Sequence, residues 1–258
     1  MSFDPQRHVL ALDFDGVIGN SVNECLIVAY NAFYGLKDAD RVKTVDALNP
    51  VLVQNFRRMR NLIRGGADFL FILLALEKEL DIRNQKAFDA FTETNHQREH
   101  EFFEAFYQER EYLSSRHPDV WVQLNPLYEG MEAFLKQYPQ KQALYIITTK
   151  KIFFVKKILA FYSIPLVPGN LFTSDKTKSK REILLEIKAK HKINPEQLWY
   201  IDDQVDTLIK IQNTGIQCLL AEWGYNDEAQ HKIGGENGIL PIKLEEFRNN
   251  FGSLFLNS

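Results

Sequence analysis

The chain has 258 residues, of which 45% are hydrophobic and 25% are charged, a composition typical of a water-soluble globular protein. Its 31 basic and 34 acidic side chains give a formal net charge of −3, which argues against a nucleic acid or a membrane surface as a partner. We see no bilayer-spanning apolar stretch and no signal-peptide pattern, and the two cysteines, Cys25 and Cys218, match no zinc or redox spacing, so we expect reduced thiols and a cytoplasmic protein.

A short apolar run near the start of the chain predicts the first strand. Val9–Leu12 is a four-residue apolar run that carries β-formers, and Asp13, Asp15 and Gly16 follow it. Both carboxylates point the same way along an extended chain. Two like charges at such a short distance repel, which favours a cation between them. Glycine permits a sharp turn or the close approach of a ligand. The segment predicts a Mg²⁺ site with one nucleophile and one proton donor, although the tetrapeptide alone also fits a simple turn.

A long helical segment follows the first strand. Apolar residues recur there at helical spacing, with breaks at Asn49-Pro50 and Gly65-Gly66. The predicted helices cover residues 21–34, 51–63, 68–80 and, as one long run, 85–113. We interpret residues 20–124 as an inserted, all-helical cap domain and residues 1–19 and 125–258 as the core domain.

From residue 125 onward, strands and helices alternate. The predicted strands are 144–147, a short one at Leu171-Phe172, 198–201 and 218–221. Four helices are predicted in this part of the chain. The first ends near residue 138, the second and third cover 152–162 and 180–191, and the fourth ends near residue 214. This alternation predicts an α/β fold with a Rossmann-like, three-layer α/β/α core and a parallel sheet.

Polar side chains follow three of the predicted strands. They are Asp13 and Asp15, then Thr148 and Thr149, then Asp202 and Asp203. The carboxyl ends of parallel strands meet at one edge of a sheet, so these residues are expected to converge. Three lysines, Lys176, Lys178 and Lys180, stand just before a predicted helix and could supply a cation to the same edge.

The order of these motifs resembles the four motifs of the haloacid dehalogenase superfamily. Asp-x-Asp-Gly-Val begins at Asp13, and a strand-terminal threonine, a lysine and an Asp-Asp pair follow in the family's order. The helical insertion resembles the family's C1 cap. The pattern Pro126-x-x-x-Gly130 and the run Ala-Glu-Trp-Gly-Tyr at 221–225 resemble its phosphoglycolate-phosphatase-like branch. The resemblance covers residues 7–20 and 125–245, and the cap matches only in position and helical character.

The resemblance implies a role for each motif residue. Asp13 would be the nucleophile that forms an aspartyl-phosphate, and Asp15 would be the general acid and base, with its backbone carbonyl on the metal. Aspartate rather than tyrosine at position 15 favours phosphate chemistry over dehalogenation. Thr148 would donate hydrogen bonds to the phosphoryl oxygens, and Thr149 and Gly16 would contact the substrate.

The lysine and the metal ligands are assigned by position. Lys180 stands at the predicted helix start, ahead of Glu182-Ile183-Leu184, and is the first choice for the active-site cation, with Lys178 and Lys176 left open. Asp203 is expected to bind Mg²⁺ directly, with Asp202 behind it, because Mg²⁺ keeps several waters and needs few carboxylates. Asp206 stays open as a further ligand, since Thr207 stands where the family often has an acidic residue or asparagine.

The resulting prediction is a Mg²⁺-dependent phosphatase that acts on a small phosphomonoester. Arg57, Arg60 and Arg64 share a helical stripe in the insertion. Arg60 and Arg64 could bind a second charged group of the substrate, although an exposed basic face is the alternative. A phosphomutase that uses the same residues, or a non-catalytic binding module with this fold, remains open. The substrate and the oligomeric state are not determined by the sequence.

Overall fold

The computed structural model describes residues 3–4, 7–137, 144–165 and 167–252. The chain forms two compact units. One consists of Met1–Asn20 and Leu127–Ser258, and the other of Ser21–Pro126. Among the described helices, none is both long enough and apolar enough to cross a membrane. Cys25 and Cys218 are free thiols.

The first unit is built on a parallel sheet of six strands in the described residues. The strands are β1 (Val9–Leu12), β2 (Leu144–Thr148), β3 (Leu171–Thr173), β4 (Leu198–Asp202), β5 (Gln217–Ala221) and β6 (Leu240–Ile242). Their order is β3-β2-β1-β4-β5-β6. The order reverses between β1 and β4, which is the crevice where doubly wound α/β folds bind ligands. The predicted α/β class with a parallel sheet is confirmed.

Both faces of the central strands are covered. All four residues of β1 and all five of β4 are buried, as expected for parallel strands between layers of helices. On one face, Val9 and Ala11 pack with Tyr200 and with Ile183 and Leu208 from two helices of this unit. This apolar packing holds the carboxyl ends of β1 and β4 beside each other.

Helices make up the second unit within its described residues. They are α1 (Val22–Phe33), α2 (Pro50–Met59), α3 (Asp68–Glu77), α4 (Gln85–Thr94), α5 (Glu99–Arg116) and α6 (Pro118–Gln123). A buried ion pair links α1 to α5, since Arg110 Nε and Nη2 each donate to Glu24 over 2.8 Å. The Trp121 indole of α6 donates to the same carboxylate over 2.9 Å. The carboxylate is therefore both paired and hydrogen-bonded, as burial of a charge requires.

The predicted single helix over residues 85–113 is wrong, because the helix ends at Asn95 and a second one begins at Glu99. The Asn95 amide N–H bonds to the Thr92 carbonyl three residues back, and its side chain donates to the Phe91 carbonyl over 2.8 Å. A short 3-10 turn over His96–Arg98 follows before α5 begins. Asparagine side chains compete for backbone groups in this way and favour helix ends over helix interiors.

The remaining helices of the first unit flank its sheet. They are α7 (Met131–Gln137), α8 (Ile152–Phe161), α9 (Lys180–His191), α10 (Val205–Gln212), α11 (Glu228–Glu236) and α12 (Leu244–Phe247). The predicted helix end near residue 138 lies outside the described residues. Strand β6 was not predicted, because Pro241 interrupts its pattern. A proline is tolerated there because β6 is an edge strand.

Candidate active site

The candidate site lies where β1 and β4 end side by side. The ladder between them continues past β1, since the Asp13 amide N–H donates to the Ile201 carbonyl over 2.9 Å. Asp202 is the last residue of β4, and Asp203 follows it. The convergence of these aspartates follows from strand order, because β1 and β4 are neighbours in the sheet although they are far apart in sequence.

One lysine contacts two of these carboxylates. Lys180 Nζ lies 3.0 Å from Asp13 Oδ1 and 2.8 Å from Asp202 Oδ2. The side chains of Lys180 and Asp13 are about one-tenth exposed, and that of Asp202 is fully buried. Three charges are therefore removed from water, and the single ammonium can balance only one of the two carboxylates.

A capping box determines where Lys180 stands. Ser179 Oγ accepts from the Glu182 amide N–H, and the Glu182 carboxylate accepts from the Ser179 amide N–H over 2.8 Å. This reciprocal pair starts α9 at Lys180. Of the other predicted candidates, Lys178 pairs with Glu186 at a more exposed position, and Lys176 is exposed.

The two aspartates after β4 have different partners. Asp202 Oδ2 accepts a 2.5 Å hydrogen bond from the Tyr200 hydroxyl, and Asp202 Oδ1 accepts from the Gln204 amide N–H over 2.9 Å. Asp203 Oδ2 accepts from the Tyr225 amide N–H over 2.8 Å. Asp202 is thus committed to protein donors on both oxygens. Tyr200 was not predicted from the sequence, since only the fold shows that its hydroxyl faces Asp202.

Two glycines allow the backbone to approach Asp203. Gly16 has φ +88°, and a Cβ there would lie 2.2 Å from Asp203 Oδ2. A Cβ on Gly224 would lie 2.3 Å from Asp203 Cβ and 2.5 Å from the Gly16 carbonyl oxygen. Any side chain at either position would push the carboxylate away. Gly16, predicted to contact substrate, therefore lies against a metal-ligand candidate in the described structure.

Replacing Gly224 with alanine is expected to displace Asp203 and to destabilise the fold by about 1–3 kcal/mol, the usual cost of overpacking. Urea unfolding without metal measures this cost. Gly235→Ala is the matched control, because a Cβ there meets nothing within 4 Å and alanine is the better helix former. Equal stability of the two variants would contradict the tight contact around Gly224.

Two neighbouring residues at the end of β2 differ in exposure. Thr148 is fully buried, and its Oγ1 accepts from the Lys150 amide N–H over 3.0 Å, which leaves its hydroxyl proton for another acceptor. Thr149, predicted to contact the substrate, is exposed. The next residue, Lys150, is only 3% exposed.

Lys150 forms an ion pair that was not predicted. Its Nζ lies 3.0 Å from Asp15 Oδ1, and its side chain is 1% exposed against 17% for Asp15. The contact arises because β1 and β2 are parallel neighbours with Leu12 beside Ile146. The available sequence signal was a charged residue three positions after a predicted strand. Each aspartate of the Asp-x-Asp motif thus has its own lysine.

The electrostatics of the site favour a bound cation. Asp13, Asp202 and Asp203 each offer an oxygen within 4.8 Å of the others, and all three are buried. When all are ionised, these three and Asp15 carry four negative charges against two positive ones from Lys150 and Lys180, and a divalent cation would neutralise the difference. Carboxylate oxygens are the ligands that Mg²⁺ prefers. Asp206 is not part of this group of carboxylates.

Burial raises the pKa of Asp13 well above its usual value; the Lys180 ammonium opposes this, and the neighbouring aspartates add to it. For Lys180, burial lowers the pKa, but Asp13 and Asp202 outweigh that effect and raise it above its ordinary value. The lysine therefore stays charged, and the cost of the crowded carboxylates falls on Asp13. A further cation beside Asp13 would relieve this cost.

Arg60 and Arg64 belong to the helical unit and differ in environment. Arg60 is 6% exposed, and its guanidinium lies 5.3 Å from the centre of the Phe69 ring. Arg64 is exposed, and its Nη1 donates to the carbonyls of Asn61 and Ile63 over 2.7 and 3.0 Å. The two arginines of the predicted stripe that were expected to bind substrate therefore differ, one being buried and the other exposed.

Solved structures with the same fold are named as a haloacid dehalogenase-like hydrolase or as phosphatases. A haloacid dehalogenase-like hydrolase from Streptococcus pneumoniae is 14% identical, with a TM-score of 0.59 over 94% of this chain and 96% of that one. A candidate phosphoglycolate phosphatase from Lactobacillus delbrueckii is 15% identical, with a TM-score of 0.61 over 98% and 100%. A predicted phosphatase from Clostridium acetobutylicum is 14% identical, with a TM-score of 0.54 over 95% and 99%.

Sequence comparison adds nothing to this likeness, because no family model and no curated protein matches the chain. At such low identity, the structural likeness establishes the fold alone. The chain has the fold of the haloacid dehalogenase-like hydrolases, and the predicted resemblance is confirmed at that level. Its function has to be argued from the site.

Proposed function

We propose that this protein is a Mg²⁺-dependent phosphatase that hydrolyses a small phosphomonoester through an aspartyl-phosphate on Asp13. The main support is the contact of Lys180 with both Asp13 and Asp202, 3.0 and 2.8 Å away. Residues from three separate parts of the chain meet there, at the crevice where this strand order binds ligands. The names of the structural neighbours agree with phosphate ester hydrolysis.

In the first half-reaction, an Asp13 oxygen would attack phosphorus and the bond to the leaving oxygen would break. Asp15 would give its proton to that oxygen, because an alkoxide is a poor leaving group. Lys180 would neutralise charge on Asp13 and on the phosphoryl group, and the Thr148 hydroxyl would donate to a phosphoryl oxygen. When bound, Mg²⁺ would offset phosphoryl charge and orient the group, held by Asp13, Asp203 and the Asp15 carbonyl with Asp202 behind them.

In the second half-reaction, water would attack phosphorus and Asp15 would accept its proton. The bond between phosphorus and Asp13 would break, which releases phosphate and restores the carboxylate. Splitting the displacement into two steps lets one aspartate serve as acid and then as base. Residues 20–124 would form the cap domain and determine the substrate, with Arg60 and Arg64 as candidates for binding its second charged group. The free thiols Cys25 and Cys218 are consistent with a cytoplasmic location.

Hydrolysis of p-nitrophenyl phosphate tests the proposal. We expect Mg²⁺-dependent release of nitrophenol that falls at least about a hundredfold after chelation with EDTA, since a bound metal supplies several kcal/mol of transition-state stabilisation. Equal rates with and without metal would contradict the metal dependence. The phosphoenzyme, trapped by acid quench and located by peptide mass spectrometry, should carry its phosphoryl group on Asp13.

The same experiment separates the alternatives. A phosphoenzyme that resists water and is discharged by an added sugar phosphate would indicate a phosphomutase. Absence of both turnover and phosphoenzyme across a panel of phosphomonoesters would indicate a non-catalytic module. A module of that kind would have no need for four carboxylates and two buried lysines at one sheet edge.

A further inference from the structure

We infer that Lys150 is a positioning residue that holds the Asp15 carboxylate for proton transfer to and from the reacting oxygens. The inference rests on the proposed function, because it assigns Asp15 the acid and base steps. It concerns a lysine distinct from Lys180, which contacts Asp13 and Asp202 instead. The two lysines therefore serve different aspartates.

The backbone of Lys150 is held on both sides. Its amide N–H donates to Thr148 Oγ1 over 3.0 Å, and its carbonyl accepts from the Thr173 hydroxyl over 3.2 Å. The Ser174 amide N–H also bonds to the Thr148 carbonyl over 2.8 Å and continues the pairing of β2 with β3. The lysine thus extends from a fixed point at the end of a central strand.

The side chain of Lys150 is buried and reaches Asp15 from that point. It is 1% exposed, and its ammonium lies 3.0 Å from Asp15 Oδ1. Asp15 itself is 17% exposed, so the buried ammonium of Lys150 is a contact that holds its carboxylate on the protein side. Proton transfer requires the donor and acceptor oxygens to stay within hydrogen-bond reach, and small misplacements of such groups cost large factors in rate.

The contact is compatible with both forms of Asp15. With its proton present, Asp15 can carry it on Oδ2 while Oδ1 still accepts from the ammonium. In the first step the O–H bond breaks, the proton goes to the leaving oxygen, and the electron pair of the broken P–O bond stays on that oxygen. In the second step the proton of water returns to Asp15. Lys150 neither gains nor loses a proton in either step.

Aryl phosphates with different leaving groups test this role. Dinitrophenolate departs without a proton, whereas phenolate is a far stronger base and needs one. For Lys150→Met we expect kcat/KM for phenyl phosphate to fall on the order of a hundredfold, the lower range of general acid catalysis. The value for 2,4-dinitrophenyl phosphate should change little, because kcat/KM reports the steps up to leaving-group release. Asp15→Asn should show the same selective loss.

Three further variants serve as controls. Lys151→Met removes the neighbouring exposed lysine and should leave both kcat/KM values unchanged. Lys150→Arg keeps the positive charge and should restore most of the activity toward phenyl phosphate. Adding Lys150→Met to Asp15→Asn should cost nothing further, since a residue that acts through Asp15 has no effect once Asp15 is gone. This double variant also removes both charges together, which favours folding if the single variant is unstable.

The outcomes are distinguishable. A wild-type protein that hydrolyses neither aryl phosphate with Mg²⁺ present would overturn the proposed function, and the inference with it. An active wild type whose Lys150→Met variant loses both activities equally would show a merely structural lysine and overturn the inference alone. A further selective loss in the Asp15→Asn background would also overturn it.

Discussion

Replacing Asp13 with asparagine is expected to lower the rate of phosphate release on the order of 10⁴-fold or more, because it removes the nucleophile of a covalent mechanism. The amide keeps the shape of the side chain but cannot form an acyl phosphate. Steady-state turnover of p-nitrophenyl phosphate, together with the phosphoenzyme trap, measures the effect. Asp119→Asn makes the same change at an exposed position of the helical unit and should be fully active. Retained turnover in Asp13→Asn would eliminate Asp13 as the nucleophile.

The same variant has a testable effect on stability. Burial and neighbouring carboxylates raise the pKa of Asp13 in the folded protein, so the folded state binds its proton more tightly than the unfolded state does. Without metal, stability should therefore fall as the pH rises from the ordinary aspartate range through the raised pKa. Asp13→Asn removes this contribution. Its melting temperature should depend less on pH than that of the wild type, and a steeper dependence would contradict the shift.

Replacing Lys180 with methionine is expected to cost both activity and stability. Activity should fall on the order of 10²–10³-fold, as when one preorganised donor is removed from a transition-state site. Without metal, the fold should lose about 3–5 kcal/mol, because the buried charges of Asp13 and Asp202 lose their common partner. Turnover with Mg²⁺ and urea unfolding in EDTA measure the two effects.

Lys178→Met is the matched control for this variant. Lys178 lies two residues earlier and pairs with Glu186, where the two side chains are 39% and 61% exposed. Its loss should change stability by no more than about 0.5 kcal/mol and leave turnover intact. If Lys178→Met were the inactive variant and Lys180→Met the active one, the assignment of the active-site lysine would be reversed.

Local patterns were sufficient to predict the main elements of the fold. The apolar runs of β1, β2 and β4 are buried on both faces and therefore read as strands without further context. The capping box of Ser179 and Glu182 determines the start of α9 within the chain itself. The helix end at Asn95 was missed because the hydrogen bond of its side chain to the backbone overrides the helical periodicity. The strand around Pro241 was missed because a proline is tolerated only at a sheet edge, a position that the pattern does not show.

The sequence by itself determined which chemical groups lie at the carboxyl ends of the strands, because strand ends and helix starts depend on near neighbours in the chain. It left three lysines as candidates and gave Lys150 no role. Only the tertiary structure decided that Lys180 faces Asp13, that Lys150 faces Asp15 and that Tyr200 donates to Asp202. The first contact joins the start of α9 to the end of β1, the second joins the segments that follow β1 and β2, and the third joins two residues of β4. Their distances depend on strand order, register and side-chain direction, which periodicity along the chain does not encode.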